Sequence, residues 1–580
     1  MMRVADAGLA PRAGDDWTRW LVVASLLVGA ISLIVVLDYG GYPYEPYRYW
    51  IFEYLLRTQD LSGSALLMLL VLVAYFSPAR PAVLGWVDAI SRHPWRAAAV
   101  AFVVLCLGTL YVEHNYPLAQ DEYAALFQSR AFASGHLTGQ FPPELVGRLI
   151  PPFNVNRFLY GSFQTGNVAS AYWPGFALVL APFSLINVSW ACNPLLASLA
   201  LVLMSRLAVR LSGEPQAGGW AILLALGSPG FTGMAITYFS MTAHLLLNLA
   251  FAWLLFERTF FRLVLAGLVG SFALLLHNPM PHFLFALPWI VWLALQPDRL
   301  RKLLALAAGY APLALGVGFG WALLLSQIQG NALSGLFPFD DNPYHKVANF
   351  FWDWHVKMRS ALPGPGDMVL STRIAELVRL WNWAVPGLPV LAAAGWWMGR
   401  RDPRTRLLGL SFACTFLGYM GIGFTQGHGW GARYVHPAWG TLPVLGATAL
   451  VLAQDKESRL KGYVASLTLL SMVFATLLRS TQIYGYLDMH LANRPAATPG
   501  ARQIVFVTFD RPNYTADLVQ NDPLLRDDVW YMFSYGRARD RSFIALRFPG
   551  ARLISEDRRG EIWLLDPAAH RPLRPDHRPP

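Results

Sequence analysis

The chain has 580 residues, of which 55% are hydrophobic and only 14% are charged, and its mean hydropathy is +0.38. Soluble domains carry nearly twice that share of charge, so a soluble globular enzyme is excluded and the long apolar runs predict a polytopic membrane protein. The formal net charge of +11 does not indicate nucleic acid as a partner. The arginines and lysines lie largely between apolar runs and in a polar tail, which indicates membrane topology instead.

About thirteen apolar runs are long enough to be membrane-spanning helices. The predicted spans are residues 20–37, 61–76, 97–112, 189–207, 217–237, 238–256, 263–276, 283–295, 303–327, 380–398, 407–424, 439–453 and 463–484. The first run is longer than the apolar part of a signal peptide and lacks a clear cleavage site, so we interpret it as a retained span. The run at 171–188 contains Pro174 and Pro182, which predicts an interfacial or re-entrant helix.

The positions of the basic residues predict the orientation of these spans. With the N-terminus inside, every predicted inner connection contains arginine or lysine, as the positive-inside rule requires. The connections contain Arg3, Arg12, Arg19, Arg80, Arg92, Arg96, Arg206, Arg210, Arg258, Arg262, Arg299, Arg301, Lys302, Arg400, Arg401, Arg404, Arg406, Lys456, Arg459 and Lys461. A full crossing at 171–188 would destroy this agreement. We therefore predict a multi-pass inner-membrane protein with a cytoplasmic N-terminus and a periplasmic or extracellular C-terminus.

This topology places two long loops, at 113–188 and 326–373, on the outside, together with everything after about residue 485. Long loops rich in proline, glycine and aromatic residues often carry function. The C-terminal segment has strand-like runs at 503–509 (QIVFVTF), 542–548 (SFIALRF) and 561–565 (EIWLL). They predict a small α/β or mostly β soluble domain over 486–565, followed by a proline- and arginine-rich disordered tail at 566–580.

Nucleotide- and metal-binding signatures are absent from the sequence. The glycine-rich runs at 316–320 and 427–431 lack the spacing and the strand–helix context of a phosphate-binding loop. The cysteines lie inside apolar runs without metal-ligand spacing; they are Cys106, Cys192 and Cys414. His277 and His282, in HNPMPH, fit a metal or phosphate site, but with two prolines between them a tight turn bearing interfacial histidines is the favoured interpretation.

An arginine in the segment GHGWGARYVHPAWG is a candidate ligand for a lipid phosphate. Arg433 lies at the predicted outer start of a span, flanked by Tyr434 and His436. The planar, permanently charged guanidinium suits phosphate binding. An arginine that extends to the membrane surface within an aromatic belt is equally compatible with this position.

Adjacent carboxylates open the first outer loop, in LAQDEYAALFQSRAFASGHL. Asp121 and Glu122 fall in the first turn of a predicted helix that ends at Gly135. Acidic residues there complement the helix dipole and cap free N–H groups, which explains both without a catalytic role. The helix is not cleanly amphipathic, however, which suits an interface or a cleft. The sequence pattern leaves capping and catalysis both open.

Three segments, in order, resemble the GT-C superfamily of integral-membrane glycosyltransferases. They are QDEYAALFQSRAFASGHL (120–137), YWPGFALVLAPFSLI (172–186) and ARYVHPAWGTLPVLGA (432–447). The resemblance is to the branch that contains protein O-mannosyltransferases and the lipid A aminoarabinose transferase, and it covers about residues 97–485. Residues 1–96 would then form an N-terminal region with two extra helices. The family often has a lysine before the prolines of the second segment, whereas this chain has Ala171, Tyr172 and Trp173.

The resemblance implies an inverting hexosyl or pentosyl transferase that moves a sugar from a polyprenyl-phosphate donor. The acceptor would be an envelope glycan, a lipid or a protein at the outer face of the membrane. The residues assigned on this basis are the catalytic Asp121 and Glu122 and the substrate-binding Arg433, Tyr434, His436, Arg157 and His282. No cofactor or metal ligand is assigned, although the reaction is compatible with a divalent cation, and no nucleic acid is expected.

The alternative function is a flippase or transporter of lipid-linked sugars, with the outer loops as gates. Charged residues buried in the middle of spans would favour it. The sequence shows few of them, since Asn193 and the neighbouring Glu376 and Arg379 lie near the ends of their segments.

Overall fold

The computed structural model describes residues 17–39, 50–79, 81–329, 369–422, 425–453, 458–510 and 514–565. The predicted outer loop at 326–373 is therefore described only at its two ends, and the predicted disordered tail at 566–580 lies outside the described residues. The described chain is mostly helical, with a small sheet in the predicted first outer loop and a second sheet near the C-terminus.

The first half of the chain forms sixteen helices among the described residues. They are α1 (Trp17–Tyr39), α2 (Trp50–Leu55), α3 (Leu61–Phe76), α4 (Pro81–Arg92), α5 (Pro94–Tyr111), α6 (Gln120–Ala133), α7 (Val146–Leu149), α8 (Gly175–Leu185), α9 (Cys192–Ser212), α10 (Gln216–Leu226), α11 (Pro229–Ala235), α12 (Met241–Leu255), α13 (Phe260–Leu274), α14 (Met280–Ala294), α15 (Arg299–Leu313) and α16 (Phe319–Gln329). A π-helical turn at Leu56–Asp60 joins α2 to α3, and another at Ala314–Gly318 joins α15 to α16.

The second half begins with helices and ends in a mixed sheet. The helices are α17 (Val369–Asn382), α18 (Leu388–Gly399), α19 (Pro403–Met420), α20 (His436–Trp439), α21 (Thr441–Leu452), α22 (Ser458–Leu470), α23 (Thr476–Leu491) and α24 (Arg537–Arg547). A π-helical turn at Ser471–Ala475 joins α22 to α23. Between α20 and α21 the chain bends by 49°.

Six of the described helical segments are long and apolar enough to cross a membrane, or seven if the bent segment from Arg433 to Leu452 is one span. Their outward faces are apolar. In α5, Ala98, Ala101 and Leu105 are buried, whereas Val100 and Val103 are 66% and 57% exposed. Such a surface is costly in water but suits lipid. The chain is thus a multi-pass membrane protein, and the number of thirteen spans stays a prediction.

Helix α8 fits the predicted interfacial or re-entrant segment. Its eleven residues rise by about 16 Å, roughly half the thickness of the hydrocarbon core. Its first turn is held by the chain that follows α13, where Gly175 N–H donates to the Leu275 carbonyl at 2.8 Å. A Cβ at Gly175 would lie 2.7 Å from that oxygen, so the close approach requires glycine.

The predicted first outer loop folds into a three-stranded antiparallel sheet beside α6. Its strands are β1 (Gly139–Gln140), β2 (Leu159–Gly161) and β3 (Asn167–Ser170), in the order β1-β3-β2. Val168 at its centre pairs with Gly139 on one side and Gly161 on the other. This sheet and α6 share an apolar core with the C-terminal domain, because Phe127 and Phe141 pack in one cluster with Ile504. The C-terminal domain is therefore part of the scaffold that holds α6.

The C-terminal domain is a four-stranded mixed sheet with one helix. The strands are β4 (Gln503–Val507), β5 (Val529–Phe533), β6 (Arg552–Asp557) and β7 (Gly560–Leu564), in the order β5-β4-β7-β6. Only β4 and β5 are parallel, and β4 and β6 each run antiparallel to β7. The strands expected within 503–509 and 561–565 are confirmed, and the sheet is of the α/β kind.

The strand predicted at 542–548 is wrong, because this segment lies in α24 (Arg537–Arg547) and its end. The apolar residues Phe543, Ile544 and Phe548 have high strand propensity, but their spacing is helical. Asp540, Ile544 and Phe548 recur every four residues and are all buried, so they form one face of a helix packed on the sheet.

The orientation of the chain is directly testable. We expect reporter fusions after residue 85 or 300 to be cytoplasmic and fusions after residue 150 or 560 to be periplasmic or extracellular. The expectation rests on the basic inner connections. Topology reporters that are active on only one side of the membrane check it. A cytoplasmic reporter at residue 560 would contradict both the orientation and the outer position of Asp121.

Candidate active site

Glu122 is the residue that caps α6. Its Oε2 accepts the N–H of Ala119 at 3.0 Å, and its Oε1 accepts the N–H of Tyr238 at 2.8 Å. The side chain is fully buried. Burial raises the pKa of Glu122, although the two N–H groups oppose this. The capping function considered for the carboxylate pair thus belongs to Glu122, and its assistance in catalysis stays a prediction.

Asp121 has different contacts. Its Oδ1 accepts a hydrogen bond from the Tyr172 hydroxyl, and its Oδ2 forms an ion pair with Nη1 of Arg433 at 2.7 Å. The Asp121 side chain keeps 16% exposure, against 7% for Arg433. Both of its oxygens contact side chains from distant segments, and the side chain as a whole is partly exposed, whereas that of Glu122 is fully buried. Asp121 is therefore available to a ligand, in contrast with its neighbour.

Arg433 is held by the glycine-rich turn that precedes it. Its main-chain N–H donates to Oε1 of Gln426 at 2.8 Å, and its Nη2 donates to the Gln426 carbonyl at 2.5 Å. The turn is possible because Gly427, Gly429 and Gly431 have φ values of +63°, +120° and +60°, which favour glycine. The guanidinium also lies over the Phe239 ring, 4.5 Å from its centroid. Its two nitrogens thus join Asp121 to this turn.

His277 and Tyr172 also belong to the site, since the Tyr172 hydroxyl contacts Asp121. Their rings stack with centroids 3.8 Å apart, and the Trp173 N–H donates to the His277 carbonyl at 3.1 Å. Burial lowers the pKa of His277 to about 4, although Asp121 favours the charged form. A neutral imidazole at pH 7 leaves Arg433 as the cation that contacts Asp121.

The charge of Asp121 is stabilised by its neighbours. Burial favours the neutral carboxyl, but the guanidinium of Arg433, followed at low pH by the protonated His277 ring and by the Tyr172 hydroxyl, holds the pKa of Asp121 below its usual value. Asp121 is thus ionised at neutral pH, and its proton affinity is reduced while Arg433 remains paired with it.

This shift predicts how the stability of the protein depends on pH. Because the folded pKa of Asp121 lies below its unfolded value of about 3.9, its contribution is present above about pH 4 and is lost as the pH falls through the folded pKa. We expect the difference in melting temperature between the wild type and Asp121→Asn to shrink as the pH falls from about 6 to about 3. A difference that is constant over this range would contradict the shift.

The other predicted substrate-binding residues differ in how close they lie to the Asp121–Arg433 pair. Tyr434 adjoins Arg433, which lies 5.6 Å from its ring centroid, and its own ring stacks on Tyr419 at 5.1 Å. His436 is buried against Trp439. Arg157 is exposed and lies over the Phe158 ring at 5.2 Å. Among the described residues, neither His436 nor Arg157 has a hydrogen bond or ion pair with Asp121 or Arg433.

His282 lies in a closed network away from Asp121. Its Nδ1 is 2.7 Å from Oδ1 of Asn248, and its Nε2 is 2.6 Å from the Tyr310 hydroxyl. Both ring nitrogens are therefore engaged inside the helix bundle. Within the described ranges, no group of three or more His, Cys, Asp or Glu side chains is arranged to hold a metal ion.

Tyr172, His277 and Gln426 belong to the site, but the sequence does not identify them as site residues. Tyr172 draws attention only as part of the segment in which the resembling family often has a lysine. His277 draws attention only as one of the two histidines of the HNPMPH turn. Gln426 gave no signal, because its role depends on the path of the glycine turn. The Asp121–Arg433 pair joins residues 312 positions apart, which no local pattern encodes.

The fold and site define a multi-pass helical membrane protein in which a carboxylate at the start of α6, Asp121, pairs with an arginine that precedes α20, Arg433. No protein-family model matches the chain, and no curated protein matches it. Among solved structures, it is similar to ArnT from Cupriavidus metallidurans bound to undecaprenyl phosphate, with a TM-score of 0.49 and 12% identity over 83% of this chain and 99% of that chain. The apo state of the same ArnT gives a TM-score of 0.45 and 12% identity over 82% and 99%.

Proposed function

We propose that the chain is a membrane glycosyltransferase that moves a sugar from a polyprenyl-phosphate carrier to an acceptor on the outer face of the membrane. The catalytic core would comprise residues 97–485, with residues 1–96 adding two helices. The observation that carries the proposal is the Asp121–Arg433 pair. It is a partly exposed carboxylate and a guanidinium at 2.7 Å, from two predicted outer segments that resemble this enzyme class in sequence.

The proposed reaction needs one proton acceptor and one cation. The acceptor hydroxyl oxygen forms a bond to C1 of the sugar while the bond from C1 to the phosphate oxygen breaks. The hydroxyl proton passes to Asp121, and the polyprenyl phosphate leaves with the bonding electrons as an anion. A single displacement of this kind inverts the configuration at C1. A positioned base and a guanidinium near the leaving phosphate are the groups that stabilise such a transition state.

The ion pair couples donor binding to the basicity of Asp121. In the free enzyme the guanidinium of Arg433 lowers the proton affinity of Asp121. A donor phosphate that recruits this guanidinium would weaken the pair and raise the pKa of the carboxylate. Asp121 would then become a better base only when the donor is in place, which limits unproductive chemistry on other hydroxyls.

The proposed donor and acceptor can be identified by deleting the gene that encodes this chain. We expect a strain that lacks the chain to accumulate a polyprenyl-phosphate sugar and to lose that sugar from one envelope glycan, lipid or protein. Mass spectrometry of lipid-linked sugars and envelope glycans gives both readouts and identifies the sugar. Complementation with wild type and Asp121→Asn is the control. An unchanged glycan profile and lipid pool in the deletion strain would contradict the proposal.

A buried charge cluster is the observation that favours transport of lipid-linked sugars as the second candidate. Asp60, Arg379 and Arg479 are each at least 97% buried, and Arg379 pairs with Asp60 and not with Glu376, which pairs with Arg373. Intramembrane charges are often functional. The three charged side chains are paired with one another, however. Asp60 Oδ1 lies 3.0 Å from Nη2 of Arg479, and Asp60 Oδ2 lies 3.2 Å from Nε of Arg379.

The two candidates differ in what happens to the donor. In liposomes with a fluorescent polyprenyl phosphate in both leaflets, a membrane-impermeant quencher reaches only the outer leaflet unless the protein transports the lipid. We expect the purified chain to leave the inner-leaflet fluorescence protected. Complete quenching that depends on the protein would establish transport.

A further inference from the structure

One segment of the C-terminal domain, residues 515–521, lies against both halves of the candidate site. It begins with a 3₁₀-helical turn. On the side of α6, the Tyr123 hydroxyl donates to the Asn521 carbonyl at 2.7 Å, and the Asn521 N–H donates to the Tyr123 oxygen at 2.7 Å. Nε2 of Gln520 donates to the Pro117 carbonyl at 2.8 Å. The segment therefore holds the beginning of α6, the helix that carries the candidate base.

The same segment reaches the glycine-rich turn before Arg433 through the side chain of Asp517. Oδ2 of Asp517 lies 3.4 Å from Nε2 of His428, and Nδ1 of His428 lies 3.2 Å from the Tyr486 hydroxyl. Asp517 and His428 are only 2% and 5% exposed. His428 follows Gln426 by two residues, and Gln426 holds both the main chain and the guanidinium of Arg433. The contact thus connects the C-terminal domain to the turn that orients this guanidinium.

The contact between Asp517 and His428 joins two neutral groups. Burial, followed by the nearby Asp121, raises the pKa of Asp517. Burial, followed by His490, lowers the pKa of His428. A neutral carboxyl can donate its O–H to Nε2 of His428, and Nδ1–H then donates to the Tyr486 hydroxyl. An amide of the same shape can therefore replace the carboxyl, whereas an apolar side chain cannot.

We infer that Asp517 is a positioning residue, which holds the glycine-rich turn through His428 and thereby sets the direction of the Arg433 guanidinium. The inference rests on the proposed function, in which this guanidinium binds the donor phosphate. Glycines with positive φ make the turn intrinsically free to move, so its conformation depends on the groups that hold it. A guanidinium that turns away gives up one of its two parallel hydrogen bonds to a phosphate.

The expected effect is a loosened turn and not a released one. Nε1 of Trp430 donates to Glu113 at 3.0 Å, and the Gly429 carbonyl accepts Nη2 of Arg379 at 3.3 Å. These contacts remain when Asp517 is replaced. We therefore expect weaker binding of the phosphate in a protein that still folds.

Phosphate binding can be measured without turnover in the full chain, reconstituted in phosphatidylcholine nanodiscs. Farnesyl phosphate, a short polyprenyl phosphate, is the probe, and empty nanodiscs are the blank. Asp517→Leu should weaken binding by about tenfold, the size of one hydrogen bond to a charged group, and Asp517→Asn should bind as wild type. Equal binding by wild type and Asp517→Leu would overturn the inference, as would equal losses in the two variants.

A buried carboxyl elsewhere in the same domain is the matched control. Asp540 is 1% exposed and accepts hydrogen bonds from Arg148 and Ser534. Asp540→Leu should lower the melting temperature and leave farnesyl phosphate binding unchanged. If it weakens binding as much as Asp517→Leu does, Asp517 merely stabilises the domain and the inference is wrong.

A double-mutant cycle tests the path through His428. His428→Phe keeps a ring but removes both nitrogens, so it should weaken binding about as much as Asp517→Leu does. The double variant should bind no more weakly than either single variant, because both remove the same contact. Losses that add would overturn the path. His428→Phe also tests the contact if Asp517→Leu does not fold.

Sugar transfer separates this inference from the proposed function. Asp517→Leu should raise the donor KM and leave kcat near the wild-type value, if the phosphate is held equally in ground state and transition state. A lower kcat with unchanged KM would overturn the positioning role, and so would a wild type that binds no farnesyl phosphate. If the wild type transfers no sugar while Asp517→Leu still weakens farnesyl phosphate binding, the proposed function fails and Asp517 remains the positioning residue of an anion site.

Discussion

Replacing Asp121 by asparagine is expected to lower sugar transfer by roughly 10²–10⁴-fold, the usual contribution of a general base. Asparagine has nearly the shape of aspartate and still offers an oxygen to the Tyr172 hydroxyl, but it cannot accept the proton of the attacking hydroxyl. Initial rates with purified protein, a polyprenyl-phosphate sugar and its acceptor measure the loss. Transfer at close to the wild-type rate would show that the base is another residue, and Glu122→Gln would be the next variant to assay.

The loss of transfer has to be separated from a loss of stability. Asp121→Asn leaves the guanidinium of Arg433 without its carboxylate, and breaking a buried pair costs up to about 3–5 kcal/mol, less here because Asp121 is 16% exposed. The double variant Asp121→Asn/Arg433→Gln removes both charges. We expect it to recover part of the melting temperature lost in the single variant while transfer stays lost. Transfer that returns together with the melting temperature would make Asp121 a structural residue.

The second large effect is expected from Arg433→Lys, which keeps the charge but removes the planar fork. In the structure one nitrogen of this fork pairs with Asp121 and another donates to the Gln426 carbonyl. A lysine ammonium cannot hold both positions and present a flat pair of donors to a phosphate. We expect the donor KM to rise by about tenfold or more, the size of one charged hydrogen bond. Donor titrations at saturating acceptor measure it.

The chain offers a matched control for this substitution. Arg479 is also a buried arginine that bridges a carboxylate and a carbonyl, since it donates to Asp60 at 3.0 Å and to the Gln59 carbonyl at 2.6 Å. Arg479→Lys should lower the melting temperature in a similar way and leave the donor KM unchanged. If Arg433→Lys changes stability but not the donor KM, then Arg433 is a structural partner of Asp121 and does not bind the donor phosphate.

The sequence predicted the parts of the fold that depend on local patterns. Apolar runs and basic connections predicted a multi-pass membrane protein, and strand-like runs separated by turn residues predicted strands β4 and β7. The span predicted at 61–76 was too short, because the helix runs from Ile51 to Phe76. The polar residues Gln59 and Asp60 lie before the predicted start of this span, yet in the structure they are part of the helix and are buried against Arg379 and Arg479. Only the tertiary structure supplies those partners.

The same limit applied at the candidate site. The motifs drew attention to Asp121 and Arg433 separately, but not to their contact. The sequence allows capping or catalysis for both carboxylates alike, whereas in the structure their contacts differ. Glu122 accepts two main-chain N–H groups, and Asp121 contacts Tyr172 and Arg433. One residue of helical offset, about 100°, separates a buried cap from a partly exposed carboxylate.

The most direct test of the proposed function follows a labelled sugar on its carrier. The purified chain is reconstituted in liposomes with a polyprenyl-phosphate donor labelled in the sugar, and an envelope extract is added outside. The account predicts that label moves to the acceptor with inverted configuration at C1, that polyprenyl phosphate is released in equal amount, and that Asp121→Asn does neither. Movement of the intact donor between leaflets, with no cleavage of the bond between sugar and phosphate, would contradict it.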